Sequence, residues 1–273
     1  MNILYCGDKG IARGALVSIL SILKHNKGVL HFYIMTINYE DTKAFTRKTA
    51  DFLDKLVKKT NAKSFVKLID ATEIFKANLP KKNMGSYFTP CSMLRLYMDK
   101  VPEIAELDRV LYLDYDVVCR GDLGEFYSMD LTGVEAAGVL DIYGRRWYHY
   151  HGLFKQDYMN SGVMLFNIPL CLETGMFEKA VELCKTKWMM LADQAALNRS
   201  ISRRVLADRK YNEQEERPRE DTILHHFSNN FKFWPYFHVQ KVKPFEIDKI
   251  HEVLKITEYD DILNEYNKLK DNL

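Results

Sequence analysis

The sequence predicts an α/β fold in which one mainly parallel sheet is flanked by helices. Three observations point there. Short apolar runs rich in β-branched and aromatic residues alternate with longer stretches whose apolar residues recur at helical spacing. That alternation covers a sheet with helices on both faces, the usual setting of parallel strands. Polar and acidic residues gather where the strand-like runs stop, and in such sheets ligands bind beyond the carboxyl ends of the strands. At 273 residues with 47% hydrophobic content, the chain is long enough to bury a substantial core and too apolar for global disorder.

Asn2–Tyr5 reads as the first strand, stopping at Gly7-Asp8-Lys9-Gly10, and Ala15, Leu16, Ile19, Leu20 and Leu23 then mark a helix. Leu30–Ile37 is the next strand. Glu40–Lys59 is a Lys-rich surface helix with Ala44, Phe45, Phe52, Leu53 and Leu56 on its apolar side. Ser64–Ile69 is a strand ending at Asp70. Arg109–Leu113 runs into Asp114-Tyr115-Asp116, Glu135–Leu140 ends at Asp141, and Ser161–Asn167 is introduced by Asn160. Met176–Trp188 is helical, with Phe177, Ala180, Val181 and Cys184 inward. Asn212–Asp221 is charged and irregular, which predicts a loop or a domain edge, and Arg199–Arg219, whose arginines are balanced by acids, predicts a solvated loop rather than a nucleic-acid surface. Thr222–Phe227 is a late strand and Tyr259–Lys270 an amphipathic helix. The expected organisation is a catalytic domain over residues 1–240 and a helical extension, 241–273, packed on it.

With 39 Lys+Arg against 37 Asp+Glu, the formal charge of +2 gives no argument for a nucleic-acid partner or an anionic membrane. Apolar stretches such as Ala15–Leu23 fall short of the roughly 20 residues that span a bilayer. The start of the chain has no basic region followed by a long apolar run, so no signal peptide is expected. Cys6, Cys91, Cys119, Cys171 and Cys184 are odd in number and scattered, which favours buried thiols over disulfides or a zinc knuckle. The expected location is the cytoplasm, with at most peripheral association at the inner face of the membrane.

The chemistry begins at Asp114-Tyr115-Asp116. In extended chain, residues i and i+2 point the same way, so both carboxylates face one cavity. Paired carboxylates repel unless a cation lies between them, and oxygen ligands suit Mg²⁺ or Mn²⁺. An acidic turn that merely ends a strand has the same spelling, and Glu106-Leu107-Asp108, Glu213-Gln214-Glu215 and Glu246-Ile247-Asp248 repeat the spacing. Far downstream, His225-His226-Phe227-Ser228-Asn229-Asn230-Phe231-Lys232-Phe233-Trp234 brings a nitrogen ligand, which favours Mn²⁺, and a lysine suited to a phosphate. Two solvent-facing histidines on a surface strand are the competing reading.

The strand followed by Asp114-Tyr115-Asp116, then Asn160-Ser161-Gly162-Val163, Ala192-Asp193-Gln194-Ala195-Ala196-Leu197-Asn198, and His226-Phe227 with Lys232 and Trp234, occur in the order and rough spacing of glycosyltransferase family 8. The chain resembles that family, which includes glycogenins and bacterial lipopolysaccharide galactosyl- and glucosyltransferases, from Asn2 to about Trp234. The resemblance implies a GT-A fold with a Rossmann-like sheet, a UDP-hexose donor, a carbohydrate or glycolipid acceptor, a Mn²⁺ (or Mg²⁺) ion and retention of anomeric configuration. It further implies Asp114, Asp116 and His226 as metal ligands, Asp8 at the uridine and ribose, and Gly10 among the donor-binding residues. Arg95, Tyr115, Asp141, Asn160, Ser161, Asn229 and Lys232 fall on donor-contacting positions, and Asp193 and Gln194 beside the reacting carbon. Without it, Asp8 is equally an N-cap and Arg95 equally a structural ion-pair partner.

Three departures stand out. Asn229 replaces a usual Gly, which predicts a tighter loop or a left-handed Asn. Phe233 replaces a usual Pro, and Ala195 removes a second acid after Gln194. With Asp193 the one acid left in that segment and Gln194 a poor nucleophile, same-face attack is expected over a covalent intermediate. The aromatic stretch from Tyr143 to Gly152, with Trp147, His149 and His151, suggests an acceptor-side lid. The alternatives are a sugar nucleotidyltransferase, which would want a longer Gly-rich phosphate loop than Gly7–Gly10, and a non-catalytic sugar-nucleotide binder. A P-loop enzyme is excluded by the absence of its motif.

Overall fold

The computed structural model describes residues 1–84, 90–142, 157–232 and 238–273, with residues 230–232 and 238 described by their backbone alone. The predicted sheet is present. Strands β1 (Asn2–Cys6), β2 (His31–Thr36), β3 (Phe65–Asp70), β4 (Arg109–Leu113), β6 (Ala136–Leu140), β7 (Met159–Asn167) and β8 (Arg204–Leu206) pair in the order β3-β2-β1-β4-β7-β6-β8. All these pairs are parallel except those of β7, which runs against both β4 and β6.

Side-chain alternation explains why the strands are apolar throughout. Ile3, Tyr5, Leu111, Leu113 and Val163 join one core, while Leu4, Cys6, Val110, Tyr112 and Met164 join the other, so each face of the sheet is buried. The first core lies under α1 (Ala12–His25), whose Leu16, Ile19 and Leu23 point inward. The second is covered by the 3₁₀ segment Pro90–Lys100 and by the later helices of the chain.

Helix α2 spans Arg47–Thr60 rather than beginning at Glu40, because the Thr46 side chain accepts from the Thr49 amide and caps it there. Upstream, Glu40 sits at φ 52°, a left-handed turn that a helix cannot pass through. Short helices α3 (Thr72–Ala77), α4 (Pro102–Ala105) and α5 (Gly124–Tyr127) occupy connections, and α6 (Ile168–Glu173), α7 (Met176–Thr186) and α8 (Ala192–Ser200) follow β7. Strand β5 (Val117–Cys119) leaves the main sheet to pair antiparallel with β9 (Leu224–His226), and β10 (Asn230–Lys232) pairs with β11 (His238–Gln240).

Residues beyond 240 supply Val242, Ile250, Leu254, Tyr259, Ile262 and Tyr266 to the first core, the last two from α9 (Asp260–Leu269). All five cysteines are free and buried. Among the described residues no helix is long and apolar enough to cross a membrane.

Two further expectations need correction. The stretch after Lys210 is not a solvated loop at its start, since Asn212 and Glu213 are 0% exposed and Gln214 is buried. Arg209 satisfies the Glu213 carboxylate through two hydrogen bonds of 2.8 and 2.6 Å, which lets the acid go under. Nor are the two histidines solvent-facing, for both His225 and His226 are buried. His225 is a packing residue, bonded to Tyr259 Oη at 2.8 Å and the Glu215 carbonyl at 2.9 Å, and burial lowers its pKa to about 4. The proposed lid from Tyr143 to Gly152, and Phe233 with Trp234, lie outside the described residues.

Candidate active site

Register alone brings the metal-binding candidates together. Asp114 and Asp116 lie in the turn between β4 and β5, and the β5–β9 pairing sets His226 opposite Val117. The Phe227 amide closes the join by donating to the Asp116 carbonyl at 2.9 Å. One ligand atom from each of Asp114, Asp116 and His226 then lies within 4.8 Å of the others. His226 Nε2 is 3.4 Å from Asp116 Oδ1 and 3.8 Å from Asp114 Oδ2.

The opposite oxygens are already taken. Asp114 Oδ1 accepts from Tyr112 Oη at 2.6 Å and Arg95 Nη2 at 2.9 Å, and Asp116 Oδ2 accepts from Lys243 Nζ. Burial by itself would raise the pKa of Asp116, but Lys243 and His226 outweigh it and hold the carboxyl well below the usual carboxylate range. Asp116 is therefore an anion although almost fully buried.

Gly162 makes the cluster possible. It starts the part of β7 that runs beside the end of β4, where the Asp114 amide donates to its carbonyl at 2.8 Å. A Cβ there would stand 2.3 Å from His226 Cε1 and 2.8 Å from Asp114 Oδ2. Two carboxylates and an imidazole closing on a side-chain-free position suit a hard divalent cation with some tolerance for nitrogen.

Arg95 is buried at the centre. Its Nε donates to the Ser92 carbonyl at 2.9 Å and Nη1 to the Ser161 carbonyl at 2.7 Å, and Nη2 bridges Asp114 to Asp193, 3.4 Å away. The guanidinium also covers the Tyr112 ring at 4.1 Å. Burial disfavours its charge, yet the surrounding acids more than restore it and raise its pKa. For Asp193 the balance goes the other way, with burial raising the pKa against the pull of Arg95.

A second net holds the sugar-side candidates. Asn160 Nδ2 donates to Asp141 Oδ2 at 3.0 Å and Gln194 Nε2 to the same oxygen at 3.2 Å, while Gln194 Oε1 accepts from the Ser161 amide at 3.0 Å. Asn212 ties this net to the first cluster. Its Nδ2 donates to Asn160 Oδ1 at 3.0 Å, and its Oδ1 lies 3.2 Å from His226 Nδ1. The sequence does not single out Asn212, Gly162 and Lys243, because the contacts that recruit them join stretches far apart in the chain. Tyr112 is only two residues from its partner Asp114, but as one apolar position of a strand it carries no signal of its own.

The remaining candidates are less connected. Asp8 caps the 3₁₀ turn Lys9–Ile11 by accepting from the Gly10 amide at 2.7 Å, as an N-cap does. Tyr115 packs on Gly14, where a Cβ would come within 2.4 Å of its ring, and burial pushes its phenol up to about 12. Asn229 is not left-handed, since Glu40 and Lys255 are the non-glycine residues at positive φ among those described. Its Oδ1 is buried without a hydrogen-bond partner. Lys232 belongs to β10, and its side chain lies outside the described residues.

Comparison with known proteins matches the profile of glycosyl transferase family 8 to residues 2–237. The chain belongs to that family. Among curated relatives, a lipopolysaccharide 1,2-glucosyltransferase of Escherichia coli is 29% identical, over 85% of this chain and 73% of its own length. A lipopolysaccharide 1,3-galactosyltransferase of Salmonella typhimurium is 28% identical, over 78% of this chain and 63% of its own. The crystal structure of the galactosyltransferase LgtC, in complex with donor and acceptor sugar analogues, superposes with a TM-score of 0.70 at 15% identity, covering 100% of both chains. That likeness shows the GT-A fold. The chain is thus a family 8 glycosyltransferase similar to lipopolysaccharide hexosyltransferases, with an Asp-Asp-His cluster able to hold a divalent ion.

Proposed function

We propose that the protein moves a hexose, glucose or galactose, from a UDP-sugar to a carbohydrate or glycolipid acceptor with retention of anomeric configuration. The observation that carries this reading is the meeting of Asp114, Asp116 and His226 within 4.8 Å just beyond the carboxyl end of β4, in a chain that belongs to a glycosyltransferase family. These three residues would hold Mn²⁺, or Mg²⁺, which when bound would neutralise charge on the departing diphosphate. Lys232 is assigned to the same phosphates. Asp8, Gly10, Tyr115 and Asn229 are assigned to the nucleotide end of the donor.

Asn160 and Asp141, braced by Gln194 and Asn212, offer hydrogen-bonding groups to the hexose. Arg95 is better assigned to positioning than to donor contact, because each of its three nitrogens has a protein partner and the residue is 4% exposed. Asp193 is committed to Arg95 and sits where burial disfavours its anion, which argues against it as a nucleophile. The proposed reaction is therefore same-face attack. The bond from the anomeric carbon to the diphosphate breaks, the acceptor oxygen bonds to that carbon from the same side, and its proton passes to the leaving phosphate. Gln194 Oε1, fixed by the Ser161 amide, lends negative partial charge to the sugar as positive charge grows on it.

Thermal-shift measurements with UDP-, GDP- and ADP-hexoses, each with and without Mn²⁺, test the reading. UDP-sugars and Mn²⁺ are expected to raise the melting temperature cooperatively. Stabilisation by GDP- or ADP-sugars alone, or indifference to Mn²⁺, would overturn it.

A further inference from the structure

Lys243 is the one residue of the cluster that the family match over residues 2–237 does not reach. It is carried by the segment whose Val242, Ile250 and Leu254 pack into the first core. Its own backbone is fixed, with the Lys243 amide donating to Glu246 Oε2 at 2.9 Å and the Glu246 amide donating back to the Lys243 carbonyl at 2.9 Å. From that turn the side chain reaches inward. Its ammonium meets Asp116 Oδ2, the Phe227 carbonyl at 3.2 Å and the face of Tyr115 at 5.8 Å.

We propose that Lys243 is a built-in counter-ion of the metal centre, which satisfies Asp116 when no metal is bound and thereby sets the affinity for the metal that binds. The inference rests on the assignment of Asp114, Asp116 and His226 as metal ligands. Asp116 presents Oδ1 to His226 and gives Oδ2 to Lys243, so the ammonium sits on the outer side of the carboxylate and leaves the inner oxygen available. A buried carboxylate without a cation is costly, and Lys243 removes that cost from the metal-free protein. The same positive charge repels an arriving divalent ion. Both effects lower metal affinity by stabilising the metal-free state and opposing the metal-bound one. Because residues 241–273 deliver the ammonium, the docking of that segment and the occupancy of the centre are linked.

The test is Mn²⁺ titration by calorimetry and by electron paramagnetic resonance on the full chain, comparing wild type with Lys243→Met, Lys243→Gln and Lys243→Arg. A unit charge this close shifts a neighbouring charge equilibrium by about tenfold or more. Lys243→Met is therefore expected to tighten Mn²⁺ binding by at least that factor, and Lys243→Arg to restore the wild-type value. In EDTA the Met variant should melt below wild type, and the gap should narrow with saturating Mn²⁺, whereas a lysine that only anchors the segment would lower both melting temperatures equally. Lys243→Gln, which keeps a donor for Asp116 without the charge, gives the same reading if the Met variant does not fold. Unchanged or weaker Mn²⁺ binding in the neutral variants, with wild type binding normally, would overturn this inference alone. Failure of wild type to bind Mn²⁺ at all would overturn the metal assignment and this inference with it.

Discussion

Replacing Gly162 with alanine adds one methyl group between two of the three proposed metal ligands. The new carbon would lie 2.3 Å from His226 Cε1 and 2.8 Å from both His226 Nδ1 and Asp114 Oδ2. Reaching an ordinary carbon–carbon separation of about 3.5 Å requires the imidazole to retreat by roughly 1.2 Å. His226 has little room to do so, being buried, paired through β9 with Val117 and bonded to Asn212. Overpacking of this kind costs about 1–3 kcal/mol. For a chain of this size that corresponds to a melting temperature lower by roughly 2–12 °C. The larger effect falls on function, because a misplacement of about 1 Å at a reacting centre costs on the order of 100-fold in rate. Calorimetric titration with Mn²⁺ and a UDP-release assay with UDP-glucose and UDP-galactose measure both consequences. Gly28→Ala is the control, since a Cβ there meets nothing within 4 Å. A Gly162→Ala protein that binds Mn²⁺ as wild type does would refute the placement of the metal between His226 and the aspartates.

Two further outcomes are expected. Asn212→Ala removes the bridge between Asn160 and His226, and loss of such outer contacts to a metal-binding His weakens metal affinity by about 10–100-fold; Mn²⁺ titration of the variant checks it, and an unchanged affinity would show that the bridge is idle. Glu135 tests the electrostatics away from the site. Burial alone would raise its pKa, but hydrogen bonds from Thr174, Ser202 and the Arg203 amide win and lower it. A lowered folded-state pKa stabilises the fold above the unfolded carboxylate value of about 4.3 and loses that contribution as pH falls through the folded value. The stability gap between wild type and Glu135→Gln in urea should therefore be full at pH 7 and shrink below about pH 4.3, and a gap independent of pH would contradict it.

The alternation of apolar runs was enough to place nearly every strand of the main sheet. Arg109–Leu113 matches in full because the four residues after Arg109 are buried among neighbours on both faces, leaving period and propensity unopposed. The start of α2 was misplaced because the apolar residues Ala44 and Phe45 continue the helical spacing while the cap at Thr46 and the turn at Glu40 end it. The buried Asn212–Gln214 stretch was misjudged for a related reason. A run of charged residues reads as solvated until the arginine that neutralises Glu213 is found beside it.

By itself the sequence determined the α/β class, the family and the Asp114/Asp116 pair at a strand end, because these depend on local periodicity and on short motifs. The pair converges through a turn closed by the Val117 amide donating to the Asp114 carbonyl at 3.2 Å, and not through the extended chain that the spacing predicts. Tertiary structure alone decided which atoms meet. The pairing of β5 with β9 carried His226 across more than a hundred residues to the aspartates, and the run of β7 against β4 set Gly162 beneath them. Folding of the last segment then delivered Lys243 to Asp116. Electrostatic contacts fall off over a few ångströms and take no account of distance along the chain, so their partners emerge only when the backbone has closed.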